Sequence, residues 1–263
     1  MTAAHDNTLF EGSRVTMQFG GITALDQVDI SVEPDTVLGL IGPNGAGKTT
    51  MFNVITGMYR PTAGQLLFKG AEISGRTPQE IAKMGIIRTF QHPRLWFDIS
   101  VLDNLLLGMY LQPHPGLLSA IFKRSRLNED FKRKIGLALD MLSIFDPELV
   151  DKHNRKVKEL SLVDLRRVEI CRAALADPQL MLLDEPAAGM DPSETCQLME
   201  DIEKIRKERS GLGVIIIEHD MEVISGIAQK VVVLNFGEKI AEGAFKELAN
   251  SPEVCQAYLG VEA

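Results

Sequence analysis

The chain has 263 residues, 45% of them apolar, and a formal net charge of −8. At this length roughly 70–75% of the unfolded surface can be buried, so a core forms without disulfides, and the acidic balance argues against a nucleic-acid partner. Cys171, Cys196 and Cys255 are far apart and form no Cys-x-x-Cys pair, so they read as buried or helix-face residues of a reducing compartment.

Met1–Asn7 combines neither a positive start nor an apolar core, and no secretory signal is expected there. No stretch reaches the ~18–20 apolar residues of a transmembrane helix. A cytosolic chain is expected, with any membrane role exercised through partners. Val28, Ile30 and Val32 alternate with Asp29, Ser31 and Glu33, the pattern of a half-exposed strand. Val37–Ile41 is a short apolar run suited to a strand buried on both faces. A Gly-rich loop follows at once, then a helix over Thr50–Thr56 that Gly57 can terminate. From about Pro93 to Ala176 the pattern is mostly helical. Its clearest case is Asn128–Leu142, with Phe131, Ile135, Leu139 and Leu142 on one face. His114 sits between two prolines in a turn-rich break. The basic run Lys123, Arg124, Arg126, Lys132, Arg133, Lys134 reads as a solvated helix face, or as a surface for anionic lipid or a partner. Leu180–Leu183, Val214–Ile217 and Val231–Leu234 are further strand-like apolar runs alternating with helical segments. That alternation implies an α/β fold with a parallel sheet and right-handed crossovers, into which the helical middle is inserted.

The Gly-rich loop is Gly42-Pro43-Asn44-Gly45-Ala46-Gly47-Lys48-Thr49, which fits G-x-x-x-x-G-K-[ST]. Gly45 and Gly47 let the backbone turn its amides inward toward phosphate oxygens. Lys48 supplies positive charge to the β- and γ-phosphates. The Thr49 hydroxyl can ligate magnesium, and the helix continuing through Thr50 points its positive end at the anion. Far downstream, Leu180–Leu183 ends in Asp184-Glu185. Paired with the loop, Asp184 is expected to hold magnesium and Glu185 to polarise the water that attacks the γ-phosphate. The expected cofactors are therefore ATP and Mg2+.

With these motifs the chain resembles the ATP-binding subunits of ABC transporters over nearly its whole length. The resemblance implies a P-loop NTPase (RecA-like) parallel-sheet core with an antiparallel β subdomain and an inserted α-helical subdomain. Residues 1–92 and 177–243 would form the core, 93–176 the helical subdomain and 244–263 a C-terminal helical tail. It also implies roles by position. Phe19 matches the aromatic that stacks on adenine, with a core phenylalanine as the alternative. Gln91, in Arg88-Thr89-Phe90-Gln91, matches the glutamine that contacts magnesium or the attacking water. Asp191 matches the D-loop, and His219 matches the switch histidine near the γ-phosphate. Ile87–Gln91, Glu185–Gly189, Ile217–Met221 and Ala257–Gly260 look like the branched-chain amino-acid importer branch, to which urea importers and lipopolysaccharide-export ATPases are close.

The signature loop, usually Leu-Ser-Gly-Gly-Gln and in the resembled branch often Leu-Ser-Tyr-Gly-Asp-Gln, reads Leu160-Ser161-Leu162-Val163-Asp164-Leu165. Ser161 remains and would cap the ATP of an opposite subunit. Ser161-x-x-Asp164 is a capping-box-like helix start. Val163 places a stiff β-branched side chain where the family has glycine, and Leu165 replaces a glutamine. A weakened signature loop beside an intact phosphate loop is expected. The implied assembly is two permease membrane subunits, a second ATP-binding subunit and, indirectly, a periplasmic substrate-binding protein. The chain would sit peripherally on the cytoplasmic face of the membrane and be a monomer or weak dimer in isolation. A weakly hydrolysing regulatory subunit is the competing expectation.

Overall fold

The computed structural model describes residues 8–111, 124–249 and 251–259. The chain divides into two units: Met1–Arg88 with Gln179–Pro186 and Arg206–Ala263, and Thr89–Pro178 with Ala187–Ile205. His114 and Lys123 lie outside the described residues.

The first unit holds two sheets. The strands β1 (Phe10–Phe19), β2 (Ile22–Val32), β4 (Ala63–Phe68) and β5 (Ala71–Glu72) pair antiparallel in the order β2-β1-β4-β5. The second sheet has as members β3 (Val37–Ile41), β6 (Ile86–Arg88), β7 (Leu180–Asp184), β8 (Gly213–Ile217), β9 (Lys230–Asn235) and β10 (Glu238–Gly243). It runs β10-β9-β3-β8-β7-β6. Its pairings are parallel except that of β9 with β10. Every residue of β3, β7 and β8 is buried, as in a sheet covered on both faces.

The helix α1 (Lys48–Ile55) buries Met51, Phe52, Val54 and Ile55. These pack into one cluster with Phe10, Val28, Ile30, Leu66 and Phe68 of the antiparallel sheet and Leu38, Leu182, Ile215 and Val232 of the parallel one. Each such buried side chain contributes roughly 1.5–3 kcal/mol. The helix starts two residues before the predicted Thr50, which places Lys48 and Thr49 in its first turn. The short α2 (Pro78–Lys83) opens with a full capping box between Thr77 and Glu80.

The second unit is helical: α3 (Val101–Gly108), α4 (Arg124–Phe145), α5 (Pro147–Asp151), α6 (Leu162–Leu175) and most of α7 (Pro192–Glu208). The predicted apolar face of α4 is displaced. Phe131 is 55% exposed, and the buried positions are Lys134, Ala138, Met141, Leu142 and Phe145. Lys134 buries its aliphatic stem while its ammonium reaches Asp130 at 3.2 Å, so a residue counted as polar belongs to the buried stripe. Arg133 also pairs with Asp130, at 2.7 Å, which ties two cations of the basic run within their own helix. Back in the first unit, α8 (Met221–Ile227), α9 (Phe245–Leu248) and α10 (Pro252–Leu259) complete the described α-helices.

Candidate nucleotide site

Open parallel sheets bind ligands at the C-terminal ends of their strands. Gly42 follows β3, Asp184 closes β7, and His219 stands two residues beyond β8. The first unit thus gathers the phosphate loop, both carboxylates and the histidine.

The loop is shaped as the spacing requires. Gly45 and Gly47 hold φ of +82° and +105°. A Cβ at Gly47 would lie 2.7 Å from the Ala24 carbonyl oxygen, so this position needs glycine for room as well as for conformation. Gly47 is also the N-cap of α1, which has no side-chain cap and no acidic residue in its first turn. The positive end of the helix is therefore left to an external anion. Ala46 is buried, Pro43, Gly47 and Thr50 are half-buried, and Asn44, Gly45 and Thr49 are exposed.

Lys48 is buried, and its Nζ donates to the carbonyls of Gly42 at 2.6 Å and Pro43 at 3.0 Å. Burial holds its ammonium below the ordinary 10.5, while the charges of Glu185 and Asp184 act in the opposite direction. A desolvated cation resting on neutral carbonyls is poised for a stronger, anionic partner.

Glu185 has φ +47°, a left-handed conformation unusual for a glutamate, and its N–H is fixed to the Ile217 carbonyl at 2.9 Å. Such strain concentrates at functional sites. His219 Nε2 lies 2.6 Å from Glu185 Oε1. Asp184 Oδ2 accepts from Arg88 at 2.7 Å. Phe19, at the end of β1, is 42% exposed and meets Tyr59 edge-on with ring centroids 5.1 Å apart. It is therefore a surface aromatic and not a core phenylalanine.

The second unit carries the remaining residues. Gln91 is exposed, and its backbone carbonyl accepts from Arg166 of α6. Arg166 also donates to the Phe90 carbonyl at 2.9 Å and to Glu169 at 3.1 Å, and Glu169 accepts the Arg94 N–H at 3.2 Å. Ser161 caps α6, its hydroxyl accepting the Asp164 N–H at 3.1 Å. The Asp164 carboxylate takes Lys152 at 2.8 Å, so an ion pair stands where the expected box has its returning arm. A cleft of about 510 Å³ opens here, lined by Ser161, Val163, Asp164, Lys152, Arg155 and Arg167 among others. Asp191 precedes α7 with a complete capping box, exchanging bonds with Glu194 at 2.9 and 3.0 Å.

Sequence patterning assigns no role to Arg88, Tyr59, Arg166, Glu169 or the turn between β9 and β10. Only the turn carries a usable local signal, a glycine between two strands. Gly237 donates its N–H to the Ala46 carbonyl at 3.1 Å and accepts the Asp26 N–H at 2.8 Å. It braces the phosphate loop from outside the motif.

The profile of the ABC transporter family matches residues 25–188. The high-affinity branched-chain amino acid transport ATP-binding protein LivG of Escherichia coli K12 is 40% identical over 93% of this chain and 94% of its own length. The corresponding protein BraF of Pseudomonas aeruginosa is 38% identical over 96% and 98%. A crystal structure of a nucleotide-free ATP-binding cassette from an ABC transporter superimposes with a TM-score of 0.82 at 31% identity, covering 97% of this chain and 100% of that one. Phosphate loop, carboxylates and histidine thus stand in a chain that belongs to the ABC transporter family as an ATP-binding cassette ATPase.

Proposed function

We propose that this chain is the ATP-hydrolysing subunit of an importer for branched-chain amino acids. The observation that carries the cargo is the 40% identity, over nearly the full length of both chains, to a branched-chain amino acid transport subunit. Gly42–Thr50, with Lys48 at their centre, hold the triphosphate, and Phe19 supports the adenine. Thr49 and Asp184 are hard oxygen donors of the kind magnesium takes, with phosphates and water supplying the rest. When bound, that cation neutralises charge developing on the γ-phosphate. Glu185 polarises the attacking water, and His219 holds that carboxylate in position. Ser161 and Asp191 serve the face shared with a second ATP-binding subunit. Among the described residues no helix is long and apolar enough to cross a membrane. Two permease subunits would hold the chain on the cytoplasmic face, and a periplasmic binding protein would deliver cargo to them.

The test is leucine uptake by proteoliposomes containing the permeases, the second ATP-binding subunit and this chain, supplied with the periplasmic binding protein. The expected result is ATP-dependent uptake that is lost with Lys48→Ala. Uptake of urea but not of leucine, isoleucine or valine would overturn the cargo. A second reading, a weakly hydrolysing regulatory subunit, draws on Val163 and Leu165. In that case Glu185→Gln would leave the turnover of the complex nearly unchanged.

A further inference from the structure

Arg88 ends β6, and its guanidinium is nearly enclosed. One nitrogen donates to Asp184 Oδ2 at 2.7 Å, another to Asn53 Oδ1 of α1 at 2.7 Å, and its central carbon lies 5.3 Å from the Phe52 ring centroid. The Arg88 and Asp184 side chains are 6% and 8% exposed. The cation is thus fixed against the carboxylate assigned above to magnesium. At such distances, in a poorly solvated site, a fixed positive charge opposes a divalent cation on the same carboxylate.

We propose that Arg88 is a built-in counter-ion that makes metal binding at Asp184 conditional on nucleotide. Without ATP, Arg88 neutralises Asp184, and a divalent cation gains too little from one shared carboxylate to enter. With ATP, the triphosphate charge adds to that of Asp184 and outweighs the guanidinium. The cation then enters only with the phosphates that orient it. Asn53 and Phe52 keep Arg88 in place, so the suppression belongs to the folded site. This inference rests on the assignment of Asp184 to the metal.

The experiment uses Mn2+ as the probe, with its electron paramagnetic resonance signal reporting free ion in the presence of the full chain. Wild type without nucleotide is expected to bind Mn2+ at least tenfold more weakly than Arg88→Gln or Arg88→Met, the latter retaining an aliphatic stem against Phe52. Arg88→Lys, which keeps the charge, restores the weak binding. With ATP present, wild type and all three variants are occupied at a Mn2+ concentration that leaves the nucleotide-free wild type empty. Equal nucleotide-free affinity in wild type and in whichever neutral variant folds overturns the inference. So does Arg88→Lys binding as tightly as the neutral variants. Asp184→Asn separates the two layers. If it leaves Mn2+ binding with ATP unchanged, the metal assignment fails. If it weakens that binding while the neutral variants match wild type in the absence of nucleotide, only the role of Arg88 fails.

Discussion

His219 Nε2 and Glu185 Oε1 stand 2.6 Å apart, joining two residues 34 positions apart in the chain. The strand register explains the meeting. Asp184 pairs with Ile217 across β7 and β8, and the residues that follow leave the sheet side by side. Glu185 is further pinned by its N–H bond to Ile217. The histidine thus restrains the side chain while the neighbouring strand restrains the backbone. His219→Ala is expected to lower ATP turnover in the assembled complex about 10²-fold or more and to leave ATP affinity within about threefold. Steady-state hydrolysis and equilibrium nucleotide binding measure the two effects separately. A large loss of affinity with unchanged turnover would assign His219 to binding instead.

Lys48 gives a prediction on pH. Burial lowers its ammonium below 10.5. Between that lowered value and 10.5 the unfolded chain binds more protons than the folded one, so this group's contribution to stability rises with pH across the window. Lys48→Met removes that rise. Urea unfolding of the nucleotide-free chain at a series of alkaline pH values should show a flatter curve for the variant. ATP should no longer raise its melting temperature. Parallel curves would mean that the lysine carries no desolvation penalty.

Gly237 tests whether the phosphate loop is supported from outside its own motif. Its φ is +84°, and a Cβ there would lie 2.9 Å from the Ala24 carbonyl oxygen. Gly237→Ala is expected to cost about 1–3 kcal/mol of stability through backbone strain and to weaken ATP binding about tenfold as the bond to Ala46 is lost. Thermal melting and nucleotide titration check both effects. Unchanged ATP affinity in a destabilised variant would make the turn structural only.

Val163 and Leu165 lie in the first turn of α6, beside the capping Ser161. Val163→Gly with Leu165→Gln is expected to raise ATP turnover of the assembled complex, although glycine costs the helix up to about 1 kcal/mol. Turnover and ATP affinity both equal to wild type would show that this loop works as it stands.

Much of the site was legible because its chemistry is local. Gly42–Thr49 needs a fixed spacing, and β3, β7 and β8 are short uninterrupted apolar runs because both their faces are covered. The antiparallel sheet was less legible. The pairing of β1 with β2 shifts register after Gly12 and again beyond Val15, and Arg14 takes a φ of +48°. Val15, Thr16 and Met17 are then buried in succession, and the period-two alternation is lost. The Arg88–Asp184 and Arg166–Phe90 contacts join residues 96 and 76 positions apart. Topology chooses those partners, and no local pattern announces them. The face of α4 was misplaced because Lys134 buries its stem, which a count of apolar residues overlooks.

The role proposed for Glu185 is to position the water that attacks the γ-phosphate. The most direct measurement is ATP hydrolysis and nucleotide retention by the assembled complex carrying Glu185→Gln. Turnover is expected to fall about 10²-fold or more while unhydrolysed ATP stays bound through gel filtration. Turnover near that of wild type, with no retained ATP, would contradict it.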